Sequence, residues 1–151
     1  MTLKNLTKTI EHKWRVQSFS KNKPSAQIVA YIDARDVMDL LDDVCGAENW
    51  QDDYKDINGK LFAGIGIKFN EKWIWKWDIG SESDIEKDKG NVSDAFKRAG
   101  VKWGIGRFLY RMQIKYMKTN TVKTPLNRPY IIDDNGKQIW DLNKYINLIK
   151  K

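Results

Sequence analysis

Between Asp94 and Asp133 the chain carries nine basic residues and no acidic one: Lys97, Arg98, Lys102, Arg107, Arg111, Lys115, Lys118, Lys123 and Arg128. Trp103, Phe108, Tyr110 and Tyr116 are interleaved with them. Cations at this density neutralise phosphates and release their counterions, while aromatic faces stack on bases, so these are the residue types of a single-stranded nucleic-acid site. The competing reading of the same stretch is an amphipathic helix with a solvated basic face, followed by a basic tail. The net charge of +7 is unevenly divided, because residues 33–94 carry sixteen Asp/Glu against eight Lys/Arg. A concentrated basic segment after an acidic one favours a polyanionic partner, nucleic acid ahead of an acidic protein, over a diffuse solubilising excess.

Covalent chemistry finds little support. With one histidine, His12, and one cysteine, Cys45, the chain has no internal disulfide and no Cys/His metal cluster. A Ser-His-Asp or Cys-His mechanism would have to run through His12, which stands between Glu11 and Lys13. No G-x-x-x-x-G-K-[ST] motif is present, which argues against a nucleotide-driven motor. Asp84, Glu86 and Asp88 alternate like calcium ligands, but Lys89 and Ala95 occupy the positions where an EF-hand needs Gly and Glu. With Asp78 and Glu82 these acids leave a metal-dependent nuclease as the rival from another class. Acids that follow one another in a loop are poorly preorganised for that work, and the expectation is no catalytic residue, no metal and no cofactor.

The elements that must position the basic residues follow from periodicity. A short N-terminal helix and a polar loop at 21–27, KNKPSAQ, precede a helix capped by Asp33, with Val37, Leu40, Leu41 and Val44 on one face and Gly46 as its stop. Asp36, Asp39, Asp42 and Asp43 form its solvent face. The period then changes to two. Strands over 50–57, 61–69 and 72–79 are joined at Asn58-Gly59 and Asn70-Glu71, a three-stranded antiparallel meander. A two-residue second turn pairs Phe69 with Lys72 and Ile67 with Ile74, laying the indoles of the third strand over Gly64 and Gly66. The ladder Trp73, Trp75, Trp77 reads as core ahead of a base-stacking platform.

A long helix follows over 92–112, capped by Asn91 or Ser93, with Val92, Ala95, Phe96, Ala99, Trp103, Gly106 and Tyr110 on the stripe that faces the sheet. Lys97, Arg98, Lys102, Arg107 and Arg111 lie off that stripe. Gly100 and Gly104 either admit a neighbouring backbone or a phosphate chain, or end the helix near 104. A basic connector containing Pro125, a hairpin around Asn135-Gly136 and a short helix, DLNKYINLIKK, complete the chain. The expected class is α+β: helix, meander and long helix packed on the sheet, with a short C-terminal hairpin and helix. Residues 1–112 form the main domain and 113–151 an extension that caps it, contacts a neighbouring subunit or binds a host protein such as a single-strand-binding protein. No run is long and apolar enough to span a membrane, and the N-terminus lacks the apolar region of a secretory signal. The expected compartment is the cytoplasm, in a bacterial host.

The stretches VAYIDARDVMDLLDDVCGAENW at 29–50, WDIGSESDIEKDKGNVSDAFKRAG at 77–100 and VKWGIGRFLY at 101–110, with the meander between them, resemble the annealing domain of the Rad-fifty-two superfamily. That superfamily comprises eukaryotic recombination mediators and phage single-strand annealing proteins of the Sak type, and the resemblance covers about residues 13–112. It implies a ring-shaped or helical homo-oligomer with single-stranded DNA in a basic groove. Lys97 and Arg98, in DAFKRA, match the family's groove lysine and arginine, and Arg15, in WRVQS, resembles a further groove position. Val101 stands where the eukaryotic proteins carry another groove arginine, which leaves Lys102 or Arg107 to compensate. The expected activity is ATP-independent annealing of complementary strands for recombination and repair. A phage or mobile element fits the Lys- and Asn-rich composition, and a passive strand coat is the alternative within the same class.

Overall fold

The computed structural model describes residues 2–80 and 88–149. Strands β1 (Lys13–Phe19) and β2 (Ser25–Tyr31) lead to helix α1 (Ala34–Cys45), then β3 (Trp50–Ile57), β4 (Lys60–Phe69), β5 (Lys72–Ile79), α2 (Asp88–Lys102), β6 (Lys115–Lys118) and α3 (Leu142–Ile149). The chain forms two compact units, Met1–Ile10 with Ile32–Arg111, and Glu11–Tyr31 with Met112–Lys151. Each has its own three-stranded antiparallel sheet, in order β3-β4-β5 and β1-β2-β6 respectively.

In the first unit α1 begins at a reciprocal capping box: Asp36 N–H donates to Asp33 Oδ1 at 3.0 Å and Asp33 N–H to Asp36 Oδ2 at 2.8 Å. Its buried face is Val37, Leu40, Leu41 and Cys45. Cys45 takes the place expected of Val44. Both meander turns have positive φ at their central residues, Asn58 and Gly59 at 54° and 78°, Asn70 and Glu71 at 51° and 67°. That is the turn whose twist matches the flanking strands. The register follows from it: Phe69 pairs with Lys72, Ile67 with Ile74, Gly66 with Trp75 and Gly64 with Trp77.

Cross-strand partners share a face, so Ala63, Ile65 and Ile67 lie on one side of β4 and the two glycines on the other. The apolar side is fully buried and packs with Ala95, Phe96 and Ala99 of α2 and with Trp103. The Trp ladder is therefore not in this core. Trp75 and Trp77 stack on each other with centroids 5.7 Å apart and lie flat over the glycines on the opposite face, half-buried, while Trp73 is 40% exposed.

The helix expected to reach residue 112 ends at Lys102. Gly104, at φ 99°, closes a Schellman motif in which Ile105 N–H donates to Gly100 C=O and Gly104 N–H to Val101 C=O, both at 2.9 Å. Gly106 is also left-handed, at 80°, and the chain continues as a 3-10 turn over Arg107–Arg111. Gly100 faces a methyl of Val37 and Gly104 faces Thr7, so these glycines serve packing and the turn.

The second unit contains a hairpin that periodicity did not announce. β1 has a bulge at Gln17, where the register steps from Val16–Ile28 to Ser18–Gln27. Val16 and Phe19, three residues apart, thereby share the core face with Trp14, Ala26 and Ile28. Ile131 and Ile146 complete that core. Ser25–Gln27, read as loop, starts β2, and Lys115–Lys118, read as connector, pairs with it. The turn at Asn135-Gly136 is present, held by Gly136 N–H on Asp133 C=O at 3.0 Å and bracketed by a bridge between Ile132 and Gln138. α3 occupies the expected C-terminal position, and its Asn143 Oδ1 accepts from Trp14 N–H at 2.6 Å.

Candidate nucleic-acid interface

Helix α2 carries the candidate residues Lys97, Arg98 and Lys102 of the first unit. Ala95, Phe96 and Ala99 lock one side of it onto the sheet, and Trp103 adds a hydrogen bond from Nε1 to Ile65 C=O at 2.9 Å. Lys97 and Arg98, about 100° apart around the axis, leave that side in different directions. Lys97 is half-buried, its ammonium 3.5 Å from the carbonyl of Ile32 just ahead of α1. Arg98 reaches the end of β5, with Nε 3.9 Å from Asp78 Oδ1 and its side chain 49% exposed. Such a pair is weak and leaves the guanidinium accessible from solvent.

One turn beyond Arg98, Lys102 is exposed, and the end of α2 gathers further cations. Arg107 donates from Nε to Val101 C=O at 2.8 Å and from Nη2 to Lys102 C=O at 3.0 Å. Lys76 Nζ lies 3.4 Å from the Lys102 carbonyl and 4.5 Å from the centroid of the Trp103 ring. Cations here complement the partial negative charge of the helix C-terminus. Arg107 is thus an end-cap as well as a surface charge. Lys76 lies outside the basic segment, where no run of charge marks it. Strand alternation puts it on the same face as Ile74 and Asp78, and that face is the one α2 covers.

Arg111, exposed, ends the 3-10 turn of the first unit. Arg15 belongs to the second unit, on β1, with its guanidinium 5.3 Å from the centroid of the Tyr31 ring. The aromatic residues of the basic segment divide sharply. Trp103 and Phe108 are 9% and 6% exposed and belong to the core, whereas Tyr110 and Tyr116 are 76% and 66% exposed and present their rings to solvent.

The acidic residues sort differently. Asp78 is engaged with Arg98, and Glu82, Asp84 and Glu86 lie outside the described residues, as does the side chain of Asp88. Among the described residues no group of three or more His, Cys, Asp or Glu converges as a metal site. Burial pushes the Cys45 thiol up, and burial with the Asp52 carboxylate beside it pushes the Tyr54 phenol up. Both side chains stay neutral near neutral pH. Among the described residues no helix is long and apolar enough to cross a membrane.

Residues 1–66 and 64–128 match the family described as Rad52/22 family double-strand break repair protein. A relative from Deinococcus deserti named Single-stranded DNA-binding protein DdrA is 32% identical over 119 residues, covering 77% of this chain and 59% of the relative. A protein of the same name from Deinococcus radiodurans is 32% identical over 99 residues, covering 64% of this chain and 47% of the relative. The chain spans about half the length of these curated relatives. No solved structure matches.

Proposed function

The chain belongs to the Rad52/22 family of double-strand break repair proteins, and from that premise we propose that it binds single-stranded DNA and anneals complementary strands in recombination and repair. The observation that carries this reading is the pair Lys97 and Arg98 on a helix fixed to the sheet by its other face, followed by Lys102 and the cations at the end of α2. Relatives named for single-stranded DNA binding support the same substrate. Lys97, Arg98 and Lys102 hold phosphates and Arg107 and Arg111 extend the positive surface, while Arg15 on β1 is a separate candidate phosphate contact.

The functional form is a homo-oligomer, a ring or a helical filament, in which successive copies carry one strand. Annealing needs no fuel, since duplex formation is downhill. The protein lowers the kinetic barrier by concentrating strands and holding them out of their own secondary structure. No group of the chain forms or breaks a covalent bond. Binding driven by phosphate contacts obeys a definite law: the logarithm of affinity falls linearly with that of salt, by about 0.7 per phosphate neutralised on a single strand. Titration of a labelled oligonucleotide at several salt concentrations tests the assignment. Lys97→Ala and Arg98→Ala each flatten the slope by about that amount, independent of base sequence. Unchanged slopes in both variants remove α2 from the site.

A further inference from the structure

The solvent face of the β1-β2-β6 sheet contains a built cavity of about 310 Å³, lined by Ser18, Ser20, Lys23, Ser25, Gln27 and Tyr116. The bulge at Gln17 creates it, because it turns Ser18 onto the face of Gln27, with which it pairs, while the core side chains keep to the other. Tyr116 of β6 stands opposite Gln27 in the register and leans into solvent, 66% exposed. The rim is fixed by the backbone. Ser20 N–H donates to Ser25 C=O at 2.8 Å, Lys123 N–H to Ser20 C=O at 3.1 Å and Thr119 N–H to Pro24 C=O at 3.0 Å. Ser20 Oγ accepts from the N–H groups of Asn22 and Lys23 at 3.1 and 3.3 Å, which sets the turn that carries the Lys23 ammonium.

The chemistry of the lining is selective. It offers four hydroxyls and one carboxamide, each able to donate and accept, one ammonium, and one exposed aromatic face. It contains no carboxylate, and β1, β2 and β6 contain none at all. Lys118 at the end of β6 lies 3.9 Å from Asp134 Oδ1, both side chains largely exposed. A planar polar group with an attached anion satisfies every one of these features. The volume sits at the lower end of small-ligand pockets, about 300 Å³, the scale of a single nucleotide and too small for a folded partner.

We infer that this cavity seats one nucleotide of a single strand, with its base stacked on Tyr116, its polar edge against Gln27 and the serine hydroxyls, and its phosphate on Lys23. The inference rests on the proposed single-strand binding and adds to it a contact with the base, where the α2 residues contact phosphates. The stacking on Tyr116 is tolerant of sequence, because every base presents a π-face. Its role in annealing is to fix the rotational setting of the strand at one point per subunit.

The test is fluorescence anisotropy of the full chain with two labelled strands of equal length, oligo-dT and an abasic deoxyribose-phosphate polymer. Tyr116→Ala is expected to weaken oligo-dT by about tenfold and to leave the abasic strand unchanged, and Tyr116→Phe to restore oligo-dT binding. Lys97→Ala/Arg98→Ala weakens both strands alike. If Tyr116→Ala weakens both equally, or neither, the base site is overturned while the α2 reading stands on its own variants. If wild-type protein binds neither strand, the functional reading and the base site fall together. Because Tyr116 is exposed and outside the core, the fold of the variant is not at stake.

Discussion

Asp78→Asn should strengthen single-strand binding, and the structure gives the size of the effect. The Asp78 carboxylate is 3.9 Å from Arg98 Nε, and its side chain is 23% exposed. A phosphate held by Arg98 would stand within a few ångströms of that carboxylate, well inside the screening distance of about 10 Å at 0.1 M salt. The repulsion to be relieved is that of a partly exposed pair, up to about 1 kcal/mol, which is about two- to fivefold in affinity. Asn keeps the oxygen that accepts from Ile79 N–H at 2.7 Å, so the strand end is preserved. The gain should be largest at low salt. It should also vanish in the Arg98→Ala background, because the carboxylate acts through that guanidinium; a double-mutant cycle in the anisotropy titration isolates the coupling. Asp78→Asn that weakens binding, or strengthens it equally with and without Arg98, would refute the placement of a phosphate at Arg98.

Gly66→Ala would bring a methyl within 2.7–2.9 Å of three Trp75 ring carbons, so the indole must lift off the sheet. The expected cost is about 1–3 kcal/mol, read as a fall in Tm with a change in tryptophan emission. Arg107→Ala releases the Val101 and Lys102 carbonyls and should cost about 1 kcal/mol in chemical denaturation, with a smaller loss of salt slope than Lys97→Ala. Asp33→Ala removes one half of the capping box and should cost about 0.5–2 kcal/mol. The Cys45 thiol is buried, and burial raises its pKa above the ordinary thiol value, so alkylation at pH 8 should await unfolding, as timed labelling in urea would show.

The meander was legible down to its register, because Asn-Gly and Asn-Glu turns of two residues leave only one pairing that keeps Ala63, Ile65 and Ile67 together. Of the stripe expected on the long helix, Ala95, Phe96, Ala99, Trp103 and Gly106 are buried, but Val92 is 37% and Tyr110 76% exposed, because the helix ends at Lys102 and its period no longer sets where Tyr110 lies. What periodicity missed has physical causes. The Gln17 bulge spaces Val16 and Phe19 by three, which breaks the alternation that marks a strand and hides the first hairpin. β6 is only four residues long and acquires its meaning from pairing with β2, a contact about ninety residues away that no local pattern carries. Trp75 and Trp77 read as core by type, yet two glycines on the neighbouring strand let them lie flat on the other face. For the candidate site, the charge segment gave Lys97, Arg98 and Lys102, but only the closing turn at Gly104 explains why Arg107 folds back onto the helix end and meets Lys76 there.

The most direct measurement is the rate at which two complementary oligonucleotides anneal, without ATP, with and without magnesium, in the presence of wild-type protein and of Lys97→Ala/Arg98→Ala. The account predicts acceleration by wild type that needs neither ATP nor magnesium and that the double variant loses. Wild-type protein that binds strands without speeding their pairing, or a double variant that anneals as fast as wild type, would contradict it.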